Sequence, residues 1–198
     1  MTKMKLLAHS TLILLIYLAS NQPSLASVLN KSKPMPALYF RARFTETRIL
    51  PGFSQHLLSS GQVIFSRSGG ISWEVTAPYH YVFKMNATRA EEQMPDGSVR
   101  RLSAKQAPWL GIVRHIFMNT LTGNISNLQH YFFVHILAMK TGRCMVLIPR
   151  LDPLEKVIKA IYINASASGV PHVLRIDEPS GGSITIRFFD IVFIPEER

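Results

Sequence analysis

Phe40-Arg41-Ala42-Arg43-Phe44-Thr45-Glu46 decides the fold: apolar side chains stand at 40, 42 and 44, and polar ones at 41, 43 and 45. A two-residue period sends each set to its own side of an extended strand. Pro51-Gly52 breaks that strand. Residues 61–67 alternate again, and Ser68-Gly69-Gly70 follows as a tight-turn signal. Ile71, Trp73 and Val75 then share one face of a third strand, opposite Ser72 and Glu74, and Thr76-Ala77-Pro78 ends it. Tyr79, Tyr81, Phe83 and Met85 line one face of a fourth. Strands of this kind are half-buried and antiparallel, with one side wet and one side apolar.

Towards the C-terminus the pattern changes twice. Residues 86–107 are polar, carry the turn Pro95-Asp96-Gly97, and read as a strand or a long loop. Asn86-Ala87-Thr88 matches a glycosylation sequon, a match that is common by chance. After Pro108 the period lengthens: Trp109, Ile112, Val113, Ile116 and Phe117 are spaced for one face of an α-helix, stopped by Gly123-Asn124. That helix either packs on the sheet or covers a cavity. Strands then resume at 132–139 and 144–149, flanking the hairpin signal Lys140-Thr141-Gly142-Arg143. Both are apolar on both faces, which places them centrally, under a cover. Residues 156–163, 172–178 and 183–190 complete the sheet, the last two joined by Pro179-Ser180-Gly181-Gly182, with Ile184, Ile186 and Phe188 facing inward.

Towards the N-terminus the chain reads as an export signal. Lys3 and Lys5 precede an apolar run at 11–19, which is too short for a bilayer that takes about 20 residues to cross. Ser20, Asn21, Gln22 and Pro23 follow, then Ser24-Leu25-Ala26 before Ser27. Small residues at 24 and 26 suit signal peptidase, so cleavage is expected after Ala26. The alternative is a membrane anchor. The residue directly after the cleavage site is Ser27 and not a cysteine, which argues against a bacterial lipoprotein. Residues 1–26 are thus expected to leave 27–198 as a single domain outside the cytoplasm. Removing 26 of 198 residues leaves 172, enough for one domain with a substantial core. The formal charge of +10 falls to +8 once Lys3 and Lys5 leave. A basic exported chain faces anionic membrane surfaces or acidic partners. Nucleic acid is not expected as a partner, since no binding motif is present. Cys144 is the one cysteine, so no intramolecular disulfide forms, and it reads as a small core residue.

Catalytic patterns are missing. The seven histidines form no His-Glu-x-x-His, and His130 and His135 are five apart, a spacing that suits neither a helix face nor a strand face. No Gly-x-Ser-x-Gly elbow occurs. Ser180-Gly181-Gly182-Ser183 lacks the lysine of a phosphate loop. Asp177 and Asp190 read as solvated strand ends. No catalytic residue, metal or cofactor is expected, although scattered Glu and His residues can converge in space. Arg67 stands out, because it follows Val63 and Phe65 at period two and so shares their apolar face. Burying an unpaired guanidinium costs several kcal/mol. Arg67 therefore either snorkels to water or bonds carbonyls of whatever covers the sheet.

Phe40-Arg41-Ala42-Arg43-Phe44-Thr45-Glu46, then Gly61-Gln62-Val63-Ile64-Phe65-Ser66-Arg67, then Ile71-Ser72-Trp73 and Pro78 resemble the LolA-like carriers of outer-membrane lipoproteins. Leu147-Ile148-Pro149 and residues 176–188 are similar more loosely, so the resemblance covers about residues 38–190. It implies a mostly β fold, a curved antiparallel sheet forming an incomplete β-barrel with a helical lid, and an interior that holds acyl chains. It also implies a periplasmic shuttle that takes an acylated lipoprotein or lipid from an inner-membrane transporter to an outer-membrane receptor, with transient membrane contact. On that reading Phe40, Phe44, Val63, Phe65, Trp73, Tyr81 and Phe83 line the lipid site, and Arg67 contacts the lid. Glu46 stands where the family usually has Gln, Ser68 where it has Pro, and Pro34 and Pro36 interrupt the first lid helix. These departures suggest a divergent member. Two other classes remain: a lipid-sensing regulatory domain of the same fold, and a hydrolase of lipids or glycans.

Overall fold

The computed structural model describes residues 38–66, 69–86, 88–103, 116, 119 and 125–195. Four expectations lie outside those residues: the signal at 1–26, the Pro34–Pro36 interruption, the position of Arg67, and the helix after Pro108 except Ile116. Ile116 and Asn119 are themselves helical.

The described chain is a run of strands. The first half contains β1 (Leu38–Ile49), β2 (Leu57–Ser66), β3 (Gly70–Ala77), β4 (Tyr81–Met85), β5 (Arg89–Gln93) and β6 (Val99–Ser103). The second half contains a helical turn α1 (Ile125–Leu128), β7 (Phe132–Met139), β8 (Gly142–Pro149), a turn α2 (Asp152–Glu155), β9 (Ala160–Ser166), β10 (Pro171–Asp177) and β11 (Ser183–Pro195). All eleven strands form one antiparallel sheet in the order β6-β5-β4-β3-β2-β1-β11-β10-β9-β8-β7. The two halves of the chain thus meet at β1 and β11, the two longest strands, which pair along their lengths. β6 and β7 are the free edges and are not hydrogen-bonded to each other, so the barrel is incomplete.

Alternation drives the sheet to bury one face. On β1, Phe40, Ala42, Phe44, Glu46 and Arg48 are buried, while Arg41, Arg43 and Thr45 are exposed. Register carries the same parity across: Ala42 sits opposite Val63, Val63 opposite Trp73, and Trp73 opposite Phe83. The sheet is strongly curved. The Trp73 and Phe188 rings lie 6.5 Å apart, although β3 and β11 are separated by three strand spacings, about 14 Å in a flat sheet. One core cluster joins the inner faces of the whole sheet, and Ile116, Leu128 and Tyr131 of the β6–β7 crossover pack into it.

The final strand changes parity part-way along. Phe44 faces Phe188 but Phe40 faces Phe193, an odd step against an even one, with the register slipping between Arg41 and Arg43. The extra residue is accommodated at Asp190, which has φ 51°. This β-bulge keeps Ile191 and Phe193 on the core side after Ile184, Ile186 and Phe188. Asp190 is therefore not a strand end. It lies inside β11, solvated, with its carboxylate 3.4 Å from Arg43.

Several expectations need correcting. β7 and β8 are not central: β7 is an edge, and Phe133, Leu137 and Met139 on it are exposed. Two-sided apolarity here reflects an outer face that is uncovered and an inner face buried only at the start of β7, with Ile136 exposed beyond it, rather than a cover on both. Tyr79 does not join the inward line of β4, because it falls in the turn before the strand and is exposed. Residues 86–107 contain the paired strands β5 and β6, closed by the Pro95-Asp96-Gly97 turn, in which the Gly97 N–H donates to the Met94 carbonyl. The strand expected at 156–163 starts at Ala160, since α2, with a proline in its first turn, occupies the approach. Cys144 is half-buried, and register puts it on the outer face, opposite Leu137, rather than in the core.

Candidate functional site

Phe40, Phe44, Val63, Phe65, Trp73, Tyr81 and Phe83 share the concave face and are all buried. β1 supplies the first two, β2 Val63 and Phe65, β3 Trp73, and β4 Tyr81 and Phe83. Trp73 reaches Phe44 two strands away, ring centroids 4.2 Å apart and tilted by 31°. It can do so because Gly61 is the residue of β2 between them, pairing with Phe44 on one side and Val75 on the other. Phe188 of β11 completes the group edge-on to Phe40, at 5.8 Å and 88°. Burying side chains of this size contributes about 1.5–3 kcal/mol each. The aromatic face is thus a main source of the fold's stability.

Polar atoms within this face have unusual surroundings. Trp73 Nε1 and Tyr81 Oη are buried with no hydrogen-bond partner among the described residues. A buried donor left without an acceptor costs about 1–3 kcal/mol. Burial pushes the Tyr81 phenol well above its usual range, the Glu92 carboxylate adds to this, and Arg100 opposes it. The hydroxyl therefore stays a donor at any physiological pH. Glu92 is itself buried and lies 3.4 Å from the half-exposed Arg100. Further round the same rim Arg48 and Glu178 form a nearly buried pair at 3.5 Å. Polar character therefore gathers at the rim formed by the end of β1 and the start of β4, below which the face is apolar.

Glu92, Arg48 and Phe188 were not among the site candidates, although register parity on β5, β1 and β11 identifies them. The remaining polar candidates fall elsewhere. His130 Nδ1 is 3.2 Å from the Ser126 carbonyl, and the residue borders a cleft of about 450 Å³ with Gln129, Arg150 and Leu151. Ser180 to Gly182 form a hairpin turn in which the Gly181 N–H donates to the Glu178 carbonyl. Asn86 of the sequon has a structural role: its Oδ1 accepts from the Thr88 and Arg89 N–H groups at 3.0 and 3.1 Å, closing the β4–β5 turn. Among the described residues no three His, Cys, Asp or Glu side chains are placed to hold a metal ion. No described helix is long and apolar enough to cross a membrane.

No family model matches the chain, and no curated protein does. Solved structures similar to it include a LolA superfamily protein from Nitrosomonas europaea, at 11% identity and TM-score 0.39, covering 96% of this chain and 95% of that one. A DUF1329 family protein from Desulfovibrio piger is similar at 10% identity and TM-score 0.44, covering 91% and 90%. A domain assigned to outer-membrane lipoprotein sorting in Vibrio parahaemolyticus is similar at 11% identity and TM-score 0.39, covering 78% and 85%. At these identities and scores the functional argument rests on this chain's own residues.

Proposed function

We propose that this protein is a periplasmic carrier that takes acyl chains of a lipoprotein or lipid onto its concave apolar face and conveys them towards the outer membrane. One observation carries the reading: a continuous aromatic face lies in an open sheet whose edge strands do not pair. Because the edge strands β6 and β7 are not paired with each other, that face can be exposed without breaking a ladder hydrogen bond between them. Phe40, Phe44, Val63, Phe65, Trp73, Tyr81 and Phe83 would then meet acyl chains, each buried methylene contributing about 0.8 kcal/mol. Trp73 Nε1 and Tyr81 Oη would donate to the ester or amide carbonyls that head those chains. Arg67, two residues beyond Phe65 in the sequence, would hold the lid through carbonyls in the empty state. An inner-membrane donor and an outer-membrane acceptor complete the cycle, as in the family that the sequence resembles. No chemistry on the cargo is required of the protein.

Native mass spectrometry of the protein isolated from the compartment to which it is exported tests this. The expected result is a population heavier by the mass of an acylated lipid or lipopeptide, stripped by gentle activation. Protein that is uniformly free of lipid, from cells in which it accumulates, would count against a carrier.

A further inference from the structure

The two faces of the β7–β8 hairpin differ at its base, while towards the tip both are open, since Ile136 on the inner side is 49% exposed. Its inner face places Phe132 and Leu147 in the core. Its outer face pairs Phe133 with Ile148, His135 with Val146 and Leu137 with Cys144. Phe133 is 54% exposed, Leu137 55%, Met139 51% and Ile148 41%, so large apolar side chains face outward in one patch that runs to the hairpin tip. Monomeric proteins seldom leave such a surface without a use for it.

Charge says what the patch meets. Lys140 and Arg143 stand at the tip, and the Arg150 guanidinium lies over the Phe133 ring at 4.9 Å. Among the described residues none of these three cations is in an ion pair. Between Asp96 and Asp152 the sequence carries lysines and arginines but no Asp or Glu. The next strand, β9, sets Tyr162 and Asn164 beside the hairpin and adds no carboxylate either. Exposed leucine and methionine framed by unpaired cations match the two layers of an anionic bilayer surface: acyl boundary for the apolar side chains, phosphates for the cations. A second copy of this chain would suit the patch poorly, because the same surface of the partner supplies cations and no carboxylate, on a protein of formal charge +10.

We infer that the outer face and tip of the β7–β8 hairpin form a docking surface for anionic lipid bilayers, with Leu137 and Met139 entering the acyl boundary and Lys140 and Arg143 at the headgroups. Docking by this face leaves the concave face free, and it does not depend on what the concave face binds.

Flotation with vesicles tests the inference, using purified protein and variants that share the same N-terminal form. The protein should float with vesicles of phosphatidylglycerol and phosphatidylcholine, less so as salt rises, and weakly with phosphatidylcholine alone. Leu137→Ser with Met139→Ser should lower the vesicle partition coefficient by about tenfold or more. Lys140→Glu with Arg143→Glu should lower it by at least about fivefold. All four positions are exposed, so both variants should keep the parent's thermal midpoint. Equal flotation with both vesicle types, or undiminished flotation of the variants, would overturn the inference. So would a concentration-dependent dimer abolished by the same substitutions without any vesicle binding, which would assign the patch to a second copy.

Discussion

Tyr81 illustrates how one atom separates a site from ordinary core. Its ring packs among apolar side chains as a phenylalanine would, yet its hydroxyl is buried with no acceptor among the described residues. If the hydroxyl serves a ligand, the empty protein bears its desolvation. Tyr81→Phe should then leave the stability of the empty protein unchanged or raise it by up to about 1 kcal/mol, as read by urea denaturation. The same variant should bind an acyl ester less tightly while binding an alkane of equal length as before. A loss of stability above about 1 kcal/mol would mean that the hydroxyl is satisfied inside the fold. At this scale the sequence was informative where alternation was strict: the inward orientation of Phe40, Phe44, Val63, Phe65, Trp73, Tyr81 and Phe83 was legible because each strand keeps its period. For the polar residues on the buried face, such as Arg48 and Glu92, parity gives the side but not the role, since nothing in a period-two pattern reveals a partner such as Glu178 that lies far away in the chain.

Among the elements, the pairing of β2 with β3 is tightly constrained at Gly61. The register slips between Ser60 and Gly61, and a Cβ at residue 61 would overlap the Glu74 carbonyl oxygen. The contact is with backbone, so it cannot be relieved by a rotamer. Gly61→Ala should cost about 3 kcal/mol or more, and it should also displace Trp73 from Phe44, because the glycine leaves room for the indole. Denaturant midpoint and tryptophan fluorescence check the two parts, and an unchanged midpoint would mean that the strand re-registers freely. Elements with strict alternation and a clear turn, β1 to β4 and β10, were readable from the chain. The position of β7 was not, because an apolar run looks the same whether both faces are covered or one is left open. The bulge at Asp190 was also hidden: Phe188-Phe189-Asp190-Ile191-Val192-Phe193 reads as a fading alternation, and only pairing with β1 shows that an inserted residue restores the inward set.

For the molecule as a whole, strand order governs what can move. Joining the two ends of the described chain at β1 and β11 puts the longest pairing in the middle of the sheet and leaves β6 and β7 as the edges. Ile116, Leu128 and Tyr131, described residues between β6 and β7 in the chain, pack into the core cluster of the concave face. The curved, incomplete barrel was expected only from the resemblance to LolA-like carriers, whereas the mostly β class was legible because half-buried strands in succession admit few other solutions. The order of strands from β7 onward was not, since it depends on pairings between segments far apart in the chain. The central claim is that the aromatic interior opens to acyl chains rather than remaining sealed, and competition for a hydrophobic fluorophore tests it most directly. The account predicts that the folded protein binds the fluorophore and that an acylated peptide displaces it, whereas the same peptide without its acyl chain does not. Equal displacement by both peptides, or no fluorophore binding by the folded protein, would contradict it.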